Sequence, residues 1–329
     1  MSKGIRNGTT IHRQGGSRLS ATSQRPSVLI SKLLQNFASK KPLRTGSLIV
    51  TVFGDSIAPR GNVVWLGSLI EALEPLGISH RLVRTAVYRL VQDNILANEQ
   101  EGRRSYYTLT ANGRSQFDEA TQRIYADQHE EWEDNWCLVL TGLLDAMVKQ
   151  KVRKDLSWLG FGQFGADVLA HPKPDKPRLL RHLEGLGCRE QCVILDAQQP
   201  LDQVSLGLDL MVTQAWDLAH LEKAYGDYIS QFKPIHEALK KNPKLSPTDA
   251  FYIRTFLIHE YRKVLLRDPG LPGQLLPAGW KGQIAYQLTK DVYRRVVDAA
   301  ETFADMHFEN QVGALPPPQK SFYGRFSDN

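Results

Sequence analysis

The sequence predicts an α+β fold in three parts, and three observations carry that reading. The first begins at Ser79. There SHRLVRTAVYRLVQDNIL reads as an arginine-rich helix of about four turns. ANEQEGRRSYYTLT, which follows, reads as a β-hairpin with two arginines near its tip. A helix and hairpin of this kind outline a winged helix-turn-helix, whose second helix enters the DNA major groove. The second observation is a strand-helix-strand-helix-strand order between Trp136 and Asp196, which suggests a small α/β sandwich of ferredoxin-like type. The third is a largely helical pattern from Ser205 onward.

In chain order, residues 1–25 are rich in Gly, Ser, Thr and Arg, a composition expected to stay disordered. A first helix is expected at Val28–Ser39, with Leu29, Ile30, Leu33, Leu34 and Phe37 on its apolar face. Residues 46–57 (GSLIVTVFGDSI) are rich in β-branched residues, which favours a strand. A helix is nevertheless expected, because winged-helix domains usually place one here. Pro59, Arg60 and Gly61 form a turn, and Val63–Leu66 should pair with the wing.

In WLGSLIEALEPLGIS, Ser68 and Glu71 have the spacing of a capping box, which predicts a helix from about Leu69 to Pro75 or Leu76. Gly77 supplies the turn, and Ser79 caps the next helix. On that helix Leu82, Val83, Ala86, Val87, Leu90 and Val91 recur at core spacing. The outward stripe is then Arg81, Arg84, Thr85, Tyr88 and Arg89, with Ser79 and His80 at its head. Arginine suits such a stripe because its planar fork reaches guanine O6 and N7 together and can equally grip a phosphate. Strands are expected at Ile95–Ala97 and Tyr106–Leu109. The turn between them puts Arg103 and Arg104 over a backbone or an adjacent minor groove.

Ala111–Glu133 reads as a charged helix with Phe117, Ala120, Ile124 and Trp132 inward. Strands follow at Trp136–Leu140, around Ala166–Ala170 and at Cys192–Asp196, with helices at Ala146–Leu159 and 177–186 between them. Beyond lie helices at Trp216–Phe232, Pro247–Leu266 and Ile284–Phe308, and a proline-bearing tail from Gly313 that reads as loose.

Charge distribution agrees with a nucleic-acid partner. The 41 basic and 35 acidic residues give a net +6, unevenly placed. Residues 1–110 hold 15 basic against six acidic, a balance of +9, and the remainder holds 26 against 29, a balance of −3. The excess positive charge therefore sits where the arginine helix sits, as attraction to phosphate requires. No apolar run reaches the roughly 20 residues that span a membrane. The basic N-terminus also lacks the apolar region of a secretory signal. Three cysteines, Cys137, Cys188 and Cys192, form no disulfide framework, which points to a reducing cytoplasm.

Enzyme-like motifs do not hold. Gly160-Phe161-Gly162-Gln163-Phe164-Gly165 satisfies G-x-G-x-x-G but follows a helical run, where a dinucleotide site needs a strand before and a helix after. His259-Glu260 opens like H-E-x-x-H, yet Lys263 stands where the second zinc histidine must be. No Ser or Cys lies in a nucleophile elbow, and neither a catalytic nor a metal-binding residue is expected. The ferredoxin-like fold also serves small nucleases of the Cas2 kind. Cleavage would need clustered carboxylates holding a divalent metal, and Asp145 alone is a poor start.

LRTGSLIVTVFGD (43–55), PRG (59–61), WLGSLI (65–70), RLVRT (81–85) and EGRRSYY (101–107) together resemble PaaX-type regulators, bacterial repressors of phenylacetic acid degradation operons. LSWLGFG (156–162), LIHEYR (257–262) and the segment from Asp268-Pro269 to Leu276-Pro277 continue the likeness, which covers roughly residues 28–308. The departures are the basic extension at 1–25 and Lys281-Gly282 after Trp280, where the pattern leads one to expect a proline.

The resemblance implies a homodimer on a palindromic double-stranded operator, released by phenylacetyl-CoA, with no bound cofactor. The effector could instead be another acyl-CoA or an aromatic acid. For an acyl-CoA, the helical region offers Arg254, His259, Tyr261, Arg262, Arg267, Arg294 and Arg295 among apolar residues. Those residues could equally cap and bridge helices. The expected organisation is a basic tail at 1–25, a DNA-binding domain at 26–110 and a linker helix at 111–133. A ferredoxin-like domain at 134–204, a helical effector and dimerisation domain at 205–312 and a flexible tail at 313–329 complete it.

Overall fold

The structure, a computed structural model, describes Met1 and residues 26–39, 44–125, 132–198 and 206–327. Apart from Met1, the basic extension lies outside the described residues.

Helix α1 (Pro26–Ser39) buries Ile30, Leu33 and Phe37, as its spacing predicts. Helix α2 (Thr45–Val52) resolves the ambiguous segment as helix. Leu48, Ile49, Val52 and Phe53 are all fully buried, so packing outweighs the strand preference of its β-branched residues. The helix widens into a π turn (Phe53–Ile57) and then tightens into a 3-10 turn (Ala58–Arg60). Strand β1 (Val63–Trp65) leads into α3 (Leu66–Leu73), then α4 (His80–Gln92), β2 (Leu96–Glu101) and β3 (Arg104–Leu109). The three strands form an antiparallel sheet ordered β1-β3-β2, so Val63–Trp65 does pair with the hairpin.

Two local expectations fail here. Helix α3 begins at Leu66, which places Ser68 inside the helix rather than at its cap. The Ser68 hydroxyl is instead buried and accepts the backbone N–H of Glu309 at 3.1 Å, a long-range contact that imitates a capping signal. Leu82 is 42 % exposed, because only Val83, Ala86 and Val87 of α4 are buried and the helix offers the core a narrow stripe.

Helix α5 (Ala111–Tyr125) buries Ile124 and Tyr125. Residues 126–131 lie outside the described residues, but Trp132 and Glu133 are not helical, so the expected helix does not reach its predicted end. The Trp132 ring instead packs edge-on against Trp136, with centroids 5.3 Å apart.

The middle region runs β4 (Asn135–Leu140), α6 (Ala146–Trp158), β5 (Gly162–Gly165), β6 (Val168–His171), α7 (Lys176–Gly185) and β7 (Val193–Gln198). Its antiparallel sheet is ordered β5-β6-β4-β7. Strand β5 is absent from the sequence reading because its glycines carry no strand signal. Gly162 serves packing: a Cβ there would come within 2.5 Å of the Trp216 ring. Asp145 accepts the Met147 and Val148 N–H groups as the cap of α6. Val139, Val152, Leu156, Leu169, Leu179 and Leu183 form the core between sheet and helices. Cys137, Cys188 and Cys192 are buried there as free thiols.

His171 ends β6 with 7 % exposure, accepting the Lys173 N–H at Nδ1 (2.9 Å). Burial pushes its pKa down to about 4. An unfolded chain binds the proton first, near pH 6.5, so stability should fall as pH drops from about 6.5 to 4, by about 3 kcal/mol at most. His171→Gln is expected to flatten that part of the profile in urea unfolding at pH 7 and pH 4.5.

The last region is helical: α8 (Leu206–Ala215), α9 (Leu218–Lys241), α10 (Pro247–Leu265) and α11 (Lys281–His307). A short hairpin, β8 (Glu309–Asn310) and β9 (Gly313–Ala314), follows. The segment beyond it, expected to be loose, is docked. Leu315, Phe322 and Phe326 are buried, and Arg325 stacks over the Tyr125 ring at 4.2 Å. A single hydrophobic cluster runs from α1 through α2–α4 and α9–α11 to Phe326, so α1 and the segment after β9 share one core. No helix among the described residues is long and apolar enough to cross a membrane.

Candidate nucleic-acid interface

Local sequence places α4. Gly77 turns the chain with φ +74°, and the Ser79 hydroxyl accepts the Leu82 N–H at 3.3 Å as the α4 cap. With Val83, Ala86 and Val87 inward, Arg81, Arg84, Thr85, Tyr88 and Arg89 all face outward and are exposed. His80 lies at the head of the stripe, 3.4 Å from Glu74. Thr85 spends its hydroxyl hydrogen on the Arg81 carbonyl (2.9 Å). No carboxylate pairs with Arg81, Arg84 or Arg89 among the described residues. Behind the stripe, burial raises the Tyr107 phenol pKa against the opposing field of Arg84.

Gly102, at φ +59°, closes the hairpin beside Glu101 and Arg104. Its two arginines differ. Arg103 is exposed and unpaired with any carboxylate among the described residues. Arg104 is held on two sides: it donates to Glu309 Oε2 at 3.1 Å, and its guanidinium lies 4.3 Å from the Trp65 ring centroid. Nothing in the local pattern points to Glu309, which is 205 residues away.

The seven residues considered for an acyl-CoA do not line one cavity. Arg254 is enclosed, its Nε 2.8 Å from Asp55 Oδ2, with further bonds to Glu301 and to Ser56 Oγ (2.6 Å). Burial opposes its charge, but Asp55, Tyr293 and Glu301 outweigh it and raise the pKa. His259 is buried with Nδ1 3.0 Å from Thr51 Oγ1, and Tyr261 is buried against Tyr228. Arg262 borders a cleft between α2, α5 and α10. Arg267 lies in another, beside Trp216 and His171. Arg294 donates to the Phe326 carbonyl, and Arg295 is exposed on α11.

The network around Asp55 went unforeseen. Its Oδ1 accepts from Tyr125 (2.6 Å), Tyr293 (3.1 Å) and Arg325 (3.1 Å). Arg60 extends it to Glu301 and Asp305, both at 2.6 Å. These partners come from five separate elements, and the only hint in the sequence was an acid and an arginine inside apolar runs.

A model of the PaaX-like protein family matches residues 44–113, and a model of the PaaX-like protein C-terminal domain matches residues 216–306. The Transcriptional repressor PaaX of Escherichia coli (strain K12) is 36% identical over 298 residues, spanning 90% of this chain and 94% of that protein. The solved structure of the uncharacterized protein Rv0674 from Mycobacterium tuberculosis is 22% identical, with a TM-score of 0.44, covering 71% of this chain and 90% of that one. The two family models and the curated relative define the class of the chain as a transcriptional regulator. The chain belongs to the PaaX family.

Proposed function

We propose that the protein is a DNA-binding repressor of phenylacetate catabolism genes, acting in the cytoplasm as a homodimer and released from its operator by phenylacetyl-CoA. The observation that carries the DNA half is the α4 stripe: three exposed arginines with no carboxylate partner among the described residues, on a helix whose other face is buried. In this reading α3, α4 and the β2–β3 hairpin act as a winged helix-turn-helix, and two copies set two α4 helices one DNA turn or a multiple apart. The strand order β5-β6-β4-β7, with α6 and α7 as crossovers, supports a ferredoxin-like middle region. For the effector half, a coenzyme A phosphate could reach Arg267, Arg294 and Arg295, whereas Arg254 is enclosed by carboxylates. Release requires that the thioester bind the DNA-free state more tightly.

Gel shift on the protein's own upstream DNA, titrated with phenylacetyl-CoA and with phenylacetate, tests both halves. Release by the thioester alone supports the reading, and absence of any shift overturns the DNA half. Arg84→Ala should weaken operator binding by roughly 1–3 kcal/mol, about 5- to 150-fold, and relax base preference at one position. Arg104→Ala should instead weaken all sequences nearly equally, with a shallower salt dependence, because a wing arginine meets phosphate or minor groove. Sequence-selective loss in Arg104→Ala would contradict that assignment.

A further inference from the structure

Between α2, α5 and α10 lies a cleft of about 150 Å³, close in volume to a cavity that accepts a benzene ring. Phe117, Ala120, Ile124, Ile258 and Leu266 give it apolar walls. Arg262 supplies its cationic group. That guanidinium is partly buried and its hydrogen bond to Thr51 Oγ1 is long, at 3.3 Å. Among the described residues no carboxylate pairs with it. Burial lowers its pKa, with only the Tyr125 phenol opposing. Five N–H donors with one weak acceptor in an apolar cleft are a standing electrostatic cost, and a carboxylate relieves it with two parallel hydrogen bonds. Asp55 also borders the cleft, but its charge is already met by Arg254 and Arg325.

We infer that this cleft binds a small monocarboxylic acid with an aryl or short alkyl tail, the ring among the apolar walls and the carboxylate against Arg262. The site is separate from the thioester response proposed above, since a coenzyme A derivative is far larger than the cleft. It also lies where the DNA-reading region, α5 and the helical region meet, so an occupant touches all three.

Isothermal titration of the full chain with benzoate, phenylacetate and the neutral amides benzamide and phenylacetamide tests it. The acids should bind with one site per chain, and the amides at least roughly tenfold more weakly. Arg262→Met should weaken acid binding roughly ten- to hundredfold, and Arg262→Lys less. Ala120→Phe, which fills the cleft and keeps the arginine, should also abolish it. Circular dichroism checks that each variant is folded. Acids and amides binding alike, Arg262→Met binding as the parent does, or no acid saturation at millimolar concentration each overturn the inference. Thioester-driven release from DNA, measured on the same proteins, tests the effector reading independently.

Discussion

Replacing Arg254 with methionine is expected to lower the unfolding free energy by about 3–5 kcal/mol, the usual cost of removing one partner from a buried charged group. Arg254 is 0 % exposed and joins Asp55, Glu301 and Ser56. The surrounding cluster is balanced, with Arg60, Arg254 and Arg325 facing Asp55, Glu301 and Asp305. Methionine matches much of the volume but leaves an excess negative charge in the core. Arg254→Lys keeps the charge, yet one ammonium cannot serve three partners at three positions, so an intermediate loss is expected. Urea unfolding measures both variants. A loss below about 1 kcal/mol in Arg254→Met would show that the cluster adds little beyond packing.

A chain ending at Pro318 is expected to fare worse. It lacks Phe322 and Phe326, each nearly fully buried, and truncations of that kind cost about 3–5 kcal/mol per aromatic ring. It also lacks Arg325, which donates to the Gly54 and Asp55 carbonyls, each at 2.9 Å, and to the Asp55 carboxylate. Together these losses approach the whole stability of an ordinary domain, about 5–15 kcal/mol. The truncated chain should therefore be recovered unfolded or aggregated, and Phe326→Ala should be folded but weakened. Circular dichroism and thermal melts on both proteins decide the matter, and a truncated chain that melts like the full one would refute it.

What the sequence made legible was local. Ser79, Gly77 and the Gly102 turn each act within a few residues and stand where the pattern placed them, and of the six apolar positions on α4 it is Val83, Ala86 and Val87 that are buried. What it hid was decided by distant partners. Ser68 and Glu71 have capping-box spacing, but the Ser68 hydroxyl answers to Glu309, 241 residues on. Arg254 looked like a ligand-binding cation because nothing nearby reveals Asp55. The tail looked loose because its prolines and polar residues outnumber Leu315, Phe322 and Phe326, and those three anchors suffice. The exposure of Arg81, Arg84 and Arg89 follows from the buried face of the same helix. The restraint on Arg104 by Trp65 and Glu309 does not follow from anything near it.

The tie between Asp55 and Arg325 also sets a timetable for synthesis. The two residues lie 270 positions apart, and a ribosome adding about 5–20 residues per second needs roughly 15–50 seconds to travel between them. Until Arg254 and then Arg325 are made, the nascent amino-terminal segment carries an acid without its arginines and an apolar face without its cover. A prematurely terminated message would thus yield a product that cannot complete its fold, and only a polypeptide made through Arg325 and Phe326 would reach it.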